Sequence, residues 1–204
     1  MKWVRDLYDW VLHWAETPYG PLALFILSFA EASFFPIPPD VLLIALALGL
    51  RERALRFALI CAAGSVLGAV FGYGIGTYAW WTDGGAFSGF ANWFFHNIPG
   101  FTEDVFYRIQ GMYNEWNFWV IFTAGFTPIP FKVFTVSAGA FDINFFMFII
   151  ASIVSRSARF FLVAGLIWKF GEPIRGFIDK YFNLLAIAFT VLLVGGFVGI
   201  KYLF

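Results

Sequence analysis

The sequence predicts an all-α polytopic membrane protein built as an inverted repeat. Each repeat holds an amphipathic helix, a re-entrant proline-tipped hairpin and a crossing helix, and a C-terminal transmembrane helix follows. Three observations lead there. Of the 204 residues, 61% are hydrophobic and only 13% charged, whereas charged residues make up about a quarter of a soluble domain. Phe57–Trp80 runs for 24 residues without a charge and Asn183–Ile200 for another 18, and about 20 apolar residues cross ~30 Å of hydrocarbon. Finally, FFPIPPDV at 34–41 and FTPIPFKV at 126–133 match in five of eight positions.

The elements follow in chain order. Trp3, Leu7, Trp10 and Trp14 recur at helical spacing over residues 1–17, which suits an aromatic-faced helix lying in the membrane interface. A soluble helix packed on the rest of the chain is the alternative. Asp6, Asp9 and Glu16, with no small-residue cleavage site after them, argue against a signal peptide. Residues 20–50 are apolar but contain Pro36, Pro38 and Pro39. Proline removes a helix donor and clashes with the turn before it, and it also drives its predecessor out of the α region. Irregular backbone at membrane depth survives only inside protein or beside a wet cavity, so two half-helices meeting at a proline turn are expected. A kinked helix crossing completely is the other reading.

A crossing helix is expected at about 55–80. On it Gly64, Gly68, Gly72 and Gly76 recur every fourth residue, a stripe that lets another helix approach closely. An external loop is expected over 81–116, with an amphipathic stretch at roughly 102–117. The second hairpin, about 117–142, has Pro128 and Pro130 at its tip. A second crossing helix is expected at about 144–169 and the terminal helix at 181–204. Interrupted hydrophobic segments at matching places in two halves are the best sequence pointer to a transporter's binding site.

Charge sets the orientation. With the N-terminus in the cytoplasm and each hairpin returning to its own side, eight cations lie inside: Lys2, Arg5, Arg51, Arg53, Arg56, Lys169, Arg175 and Lys180. Arg108 and Lys201 lie outside, beside Asp83, Glu103, Asp104 and Glu115. That split satisfies the positive-inside rule. A first hairpin that crossed completely would put Arg51–Arg56 outside and weaken it.

Five ionisable residues remain at membrane depth: Glu31, Asp40, Lys132, Arg156 and Arg159. Each costs a few kcal/mol there unless paired or hydrated. Three cations against two carboxylates leave one positive charge over. Arginine's planar fork matches phosphate, so Lys132, Arg156 and Arg159 are candidates to bind an anionic headgroup. Glu31 and Asp40 are candidates to carry a coupling proton. Purely internal ion pairing is the competing reading. The repeat alignment sets Asp40 opposite Lys132, which predicts that the hairpin tips pair. Cys61 is the single cysteine, and His13 and His96 have no metal-ligand spacing, so neither a disulfide, a metal nor a cofactor is expected. No nucleophile–base pair or ligand cluster marks an enzyme, and nothing suggests nucleic acid.

EASFFPIPPD at 31–40 resembles the motif of the DedA family of VTT-domain membrane proteins, with an acid, Pro-x-Pro five residues on, and a second acid. Glu31, Pro36, Pro38 and Asp40 fall on those positions. TPIPFKVFTVSAGAF at 127–141 resembles the family's second hairpin, and the likeness covers roughly residues 18–170. It implies paired re-entrant hairpins and movement of a lipid across a bacterial cytoplasmic membrane. Undecaprenyl phosphate or a phospholipid would be the cargo, driven through the hairpin acids by the proton gradient. One departure is Gly125, where many members carry an arginine three residues before the second-hairpin proline. The expected function is therefore a flippase- or scramblase-type lipid translocase, with a proton-coupled transporter of small ions or solutes as the alternative. Its partners would be anionic lipids and protons, and a homodimer is left open.

Overall fold

The computed structural model describes residues 17–33, 37–97, 102–127 and 130–171. The expected terminal helices, at 1–17 and 181–204, lie outside these residues apart from Thr17, as do Pro36 and Pro128. Among the described residues the chain is helical, with one isolated bridge between Trp81 and Phe87.

The helices are α1 (Gly20–Ser33), α2 (Asp40–Gly49), α3 (Ala54–Trp80), α4 (Gly89–Asn97), α5 (Glu103–Phe126), α6 (Phe131–Ala140) and α7 (Phe145–Phe170), with a single 3-10 turn at Arg51–Arg53 ahead of α3. Two are long and apolar enough to cross a membrane, Arg51–Trp80 with 30 residues and Phe145–Phe170 with 26. By contrast α1 and α2 have 14 and 10 residues. At 1.5 Å per residue they span about 21 and 15 Å, too short to cross singly.

The proline clusters interrupt the chain where helix physics demands it. Pro39 caps α2 with φ −70°, and its carbonyl accepts the Leu43 amide at 2.9 Å. Pro130 caps α6 with φ −59°, and its carbonyl accepts the Val133 amide at 3.2 Å. A proline costs little at a helix start, because its missing N–H would have no intrahelical partner there. At the other end of α6, Asp142 adopts φ 54°. The Asn144 side chain then accepts the Met147 amide at 3.0 Å to start α7.

Register follows from close contacts. Gly64, Gly68 and Gly72 of α3 back onto Phe25, Phe29 and Ala32 of α1, so these helices run the same way. Helix α7 runs opposite to α3. At one end Arg51 donates to the carbonyls of Trp168 and Lys169 at 2.7 Å each, and further along Tyr73 Oη donates to Ile143 at 2.6 Å. Helix α5 runs alongside α7, with Gly125 against Ser155. Helix α6 follows α3, with Thr135 at Gly72 and both Val136 and Ala140 at Gly76. Both outer ends of the α1–α2 unit therefore lie at the Arg51 end of α3. Both outer ends of the α5–α6 unit lie at its Trp80 end, where Trp81 Nε1 donates to Ala140 at 2.8 Å.

Residues 81–116 are more ordered than a loop, and the amphipathic stretch expected at roughly 102–117 falls on the start of α5. They hold the Trp81–Phe87 bridge, α4 and the first half of α5, which runs unbroken into the segment expected as the hairpin's first leg. Aromatic packing explains the order: Trp81 stacks on Phe87 with ring centres 4.8 Å apart, and Trp80 on Phe106 at 5.6 Å. No proline interrupts 103–126, so nothing breaks α5 at 117.

Candidate functional site

Helix α1 ends and α2 begins beside the middle of α3, and the charged residues gather there. Glu31 lies in the last turn of α1, and Asp40 is the first residue of α2. Arg156 and Arg159 stand three residues apart on α7, which puts them on one face. That face is buried, leaving Arg156 2% and Arg159 5% exposed.

Arg156 Nη2 donates to Glu31 Oε2 at 2.7 Å, and its Nε donates to Ser65 Oγ of α3 at 2.6 Å. The guanidinium lies against the Phe131 and Phe160 rings, 4.9 and 4.6 Å from their centres. Rings in that position attract a cation by their quadrupole. Arg159 grips differently. Its Nε and Nη2 donate to both oxygens of Asp40, at 3.0 and 2.9 Å, the fork-to-fork geometry that is strongest for this pair. Its Nη1 donates to the carbonyls of Thr127 at 2.5 Å and Phe126 at 3.3 Å.

The helix ends reinforce these charges. Asp40 sits at the N-terminus of α2, where the macrodipole favours an anion. Phe126 and Thr127 are at the C-terminus of α5, where it favours a cation. Arg159 thus ties the start of α2 to the end of α5. Thr135 Oγ1 fastens the same region by donating to the Ala32 carbonyl at 2.9 Å.

The predicted residues do not assemble as one cluster of free cations. Both arginines are held by carboxylates. Asp40 meets Arg159 rather than Lys132, which corrects the expected pairing of the hairpin tips. Lys132 is the second residue of α6, whose buried face is set by Phe131 and Thr135. Half-buried, it has no ion-pair partner among the described residues. It is the surplus charge. Pro38 and Pro130 are exposed and Pro39 is buried at the two breaks. The stripe of Gly64, Gly68, Gly72 and Gly76 is shared, its first part against α1 and its last against α6. At Gly125 a side chain would strike Ser155 and the Phe131 ring, so an arginine has no room there. Arg159 brings its guanidinium to the carbonyls of Phe126 and Thr127 beside it.

Four contributors were not singled out from the sequence: Ser65, Phe131, Phe160 and Thr135. Ser65 carried a signal, as the one serine or threonine between Phe57 and Gly76. The two phenylalanines carried none in a chain with 29 of them.

No family model and no solved structure matches the chain. It is similar to an uncharacterised protein of Haemophilus influenzae, 36% identical over 195 residues that cover 95% of this chain and 96% of that one. A second uncharacterised protein, from Histophilus somni, is 36% identical over 204 residues, covering 95% and 99%. An uncharacterised protein of Methanocaldococcus jannaschii is 28% identical over 142 residues, 69% of this chain and 79% of its own.

Proposed function

Because this chain belongs to the family of the Haemophilus influenzae and Histophilus somni proteins, nearly end to end, we propose for it a function that its own charged site supports: movement of an anionic lipid between the leaflets of a membrane, coupled to protons. The cargo class is undecaprenyl phosphate or a phospholipid. In this reading α3 and α7 cross the bilayer. The α1–α2 and α5–α6 units are re-entrant hairpins inserted from opposite faces as an inverted repeat, and Arg51, Arg53 and Lys169 mark the cytoplasmic end.

The observation that carries the proposal is the pair of buried ion pairs, Glu31–Arg156 and Asp40–Arg159, at the junction of broken helices midway along the long ones. Isolated charges at that depth are costly and usually functional. Broken helices around a central charged site are how many transporters hold an ionic substrate. Lys132, without an ion-pair partner among the described residues, adds positive charge close by. Protonation of a carboxylate would release its arginine, and a headgroup oxyanion would take the place of the lost negative charge.

Reconstitution tests this. In liposomes carrying a labelled phospholipid or a prenyl phosphate, the protein is expected to move lipid between leaflets at a rate that changes with an imposed pH gradient. A second reading, proton-coupled transport of a small ion or solute, is favoured by the low exposure of all four paired side chains. Ion or solute flux with lipid left in place would select it and overturn the lipid proposal.

A further inference from the structure

The two arginines, alike in sequence and depth, differ in how completely they are occupied. Arg159 uses all three of its nitrogens: two on Asp40 and the third on the carbonyls of Phe126 and Thr127. An anion approaching its remaining edge would meet a carboxylate and backbone oxygens. Arg156 is held by one bond to Glu31 and one to Ser65. Its Nη1 has no hydrogen-bond partner among the protein atoms of the described residues, although the side chain is only 2% exposed. A guanidinium edge without a protein partner is shaped for two parallel bonds to an oxyanion. Phe131, the first residue of α6, lies against this guanidinium, and Lys132 follows it in the chain.

We infer that the arginines have separate tasks: Arg159 is a strut joining the two broken units, and Arg156 is the exchangeable cation that trades Glu31 for a phosphate oxyanion when Glu31 takes up a proton. The cargo assignment rests on the lipid-transport reading; the exchange itself rests on the geometry. The step balances in charge. Glu31 gains a proton and becomes neutral, the arginine stays protonated, and the anion supplies the negative charge the carboxylate gave up. The elements packed around Glu31 bring Arg156 and Arg159 of α7, Asp40 of α2, Lys132 of α6 and Cys61 of α3 towards this junction, while Arg56, Tyr73 and Tyr78 of α3 and Lys169 of α7 lie further along their helices. Of these only Arg156 bonds to it.

The test is binding by purified protein in detergent. The probes are a short-chain phosphatidylglycerol and, separately, its water-soluble headgroup glycerophosphoglycerol. A phosphodiester keeps its charge between mildly acidic and mildly alkaline pH, so any pH dependence belongs to the protein. Wild type is expected to bind more tightly on the acidic side. Glu31→Gln should bind at the acidic wild-type strength at every pH. The double variant Glu31→Gln/Arg156→Gln removes both charges together, so it should fold and lose about tenfold or more in affinity, roughly 1.4 kcal/mol or above. Asp40→Asn should lower the melting temperature yet keep the pH slope.

Binding of the lipid alone identifies a lipid headgroup seat, and equal binding of both probes a site for phosphate in general. A wild-type pH slope in Glu31→Gln, or undiminished binding by the double variant, would overturn the inference. The expected binding pattern with no lipid movement in liposomes would remove the transport reading and leave the exchange standing. Lipid movement with undiminished binding by the double variant would do the reverse.

Discussion

Asp40→Ala is expected to cost about 3–5 kcal/mol of stability, the range for removing one partner of a buried ion pair. The change strips Arg159 of both bonds to carboxylate oxygens while its guanidinium, 5% exposed, still faces the carbonyls of Phe126 and Thr127. It also removes the acid from the first turn of α2, where a negative charge is worth a further fraction of a kcal/mol, on the order of 0.3–1. Most of the loss belongs to the orphaned cation and not to the attraction itself. The double change Asp40→Leu/Arg159→Met is therefore expected to recover much of it, since apolar replacement of a whole buried pair is often neutral or better. Reversible unfolding in mixed micelles measures both. A single variant as stable as wild type would mean that Arg159 finds another anion, and the strut would lose its basis.

Gly76→Ala and Gly139→Ala are expected to be the next most damaging changes, each about 1–3 kcal/mol, as for overpacking a tight interior. At Gly76 a methyl group would collide with the carbonyl of Val136 and the amide of Ala140. At Gly139 it would collide with the carbonyl of Tyr73 and the amide of Thr77. The obstacles are backbone, so no rotamer change relieves them; α3 and α6 must separate. Gly74→Ala is the control. It lies on the same helix with open space around the added carbon, and alanine favours helix over glycine by about 1 kcal/mol. It is expected to be neutral or stabilising under the same unfolding conditions. Equal losses at residues 74 and 76 would show that helix contact is not what the stripe provides.

These contrasts explain what the sequence could and could not disclose. The breaks were legible because three prolines in four residues at the first, and two in three at the second, leave a helix no easy continuation. The first long helix was legible from its uncharged length and the second from its apolar run despite Arg156 and Arg159, and Ala54–Trp80 and Phe145–Phe170 fall within a residue or so of the expected spans. The glycine stripe announced a close neighbour, but its division between α1 and α6 depends on where each hairpin stops along α3. The ion pairs were hidden for a similar reason. Asp40 and Arg159 are 119 residues apart, and their meeting is set by the register of α2 against α7, which no local pattern encodes. Alignment of the two proline motifs instead suggested Lys132, because it compares positions within each hairpin and says nothing of how far each one reaches. Helix α4 was obscured by Gly84, Gly85, Pro99 and Gly100, which read as loop, whereas Phe87 and Phe95 between them pack against Phe106.

The central proposal is that two broken helical units enter the membrane from opposite faces and meet at buried charges. Cysteine labelling in intact membrane vesicles tests it most directly, using a Cys61→Ala background with one cysteine at a time at residues 19, 52 and 83. Tyr19 and Glu52 flank the α1–α2 unit and Asp83 follows α3, all three exposed. The account predicts that an impermeant reagent reaches 19 and 52 from the same face and 83 from the opposite one. Reaction of 19 and 83 from one face and 52 from the other would mean that the first unit passes right through the bilayer, and would contradict it.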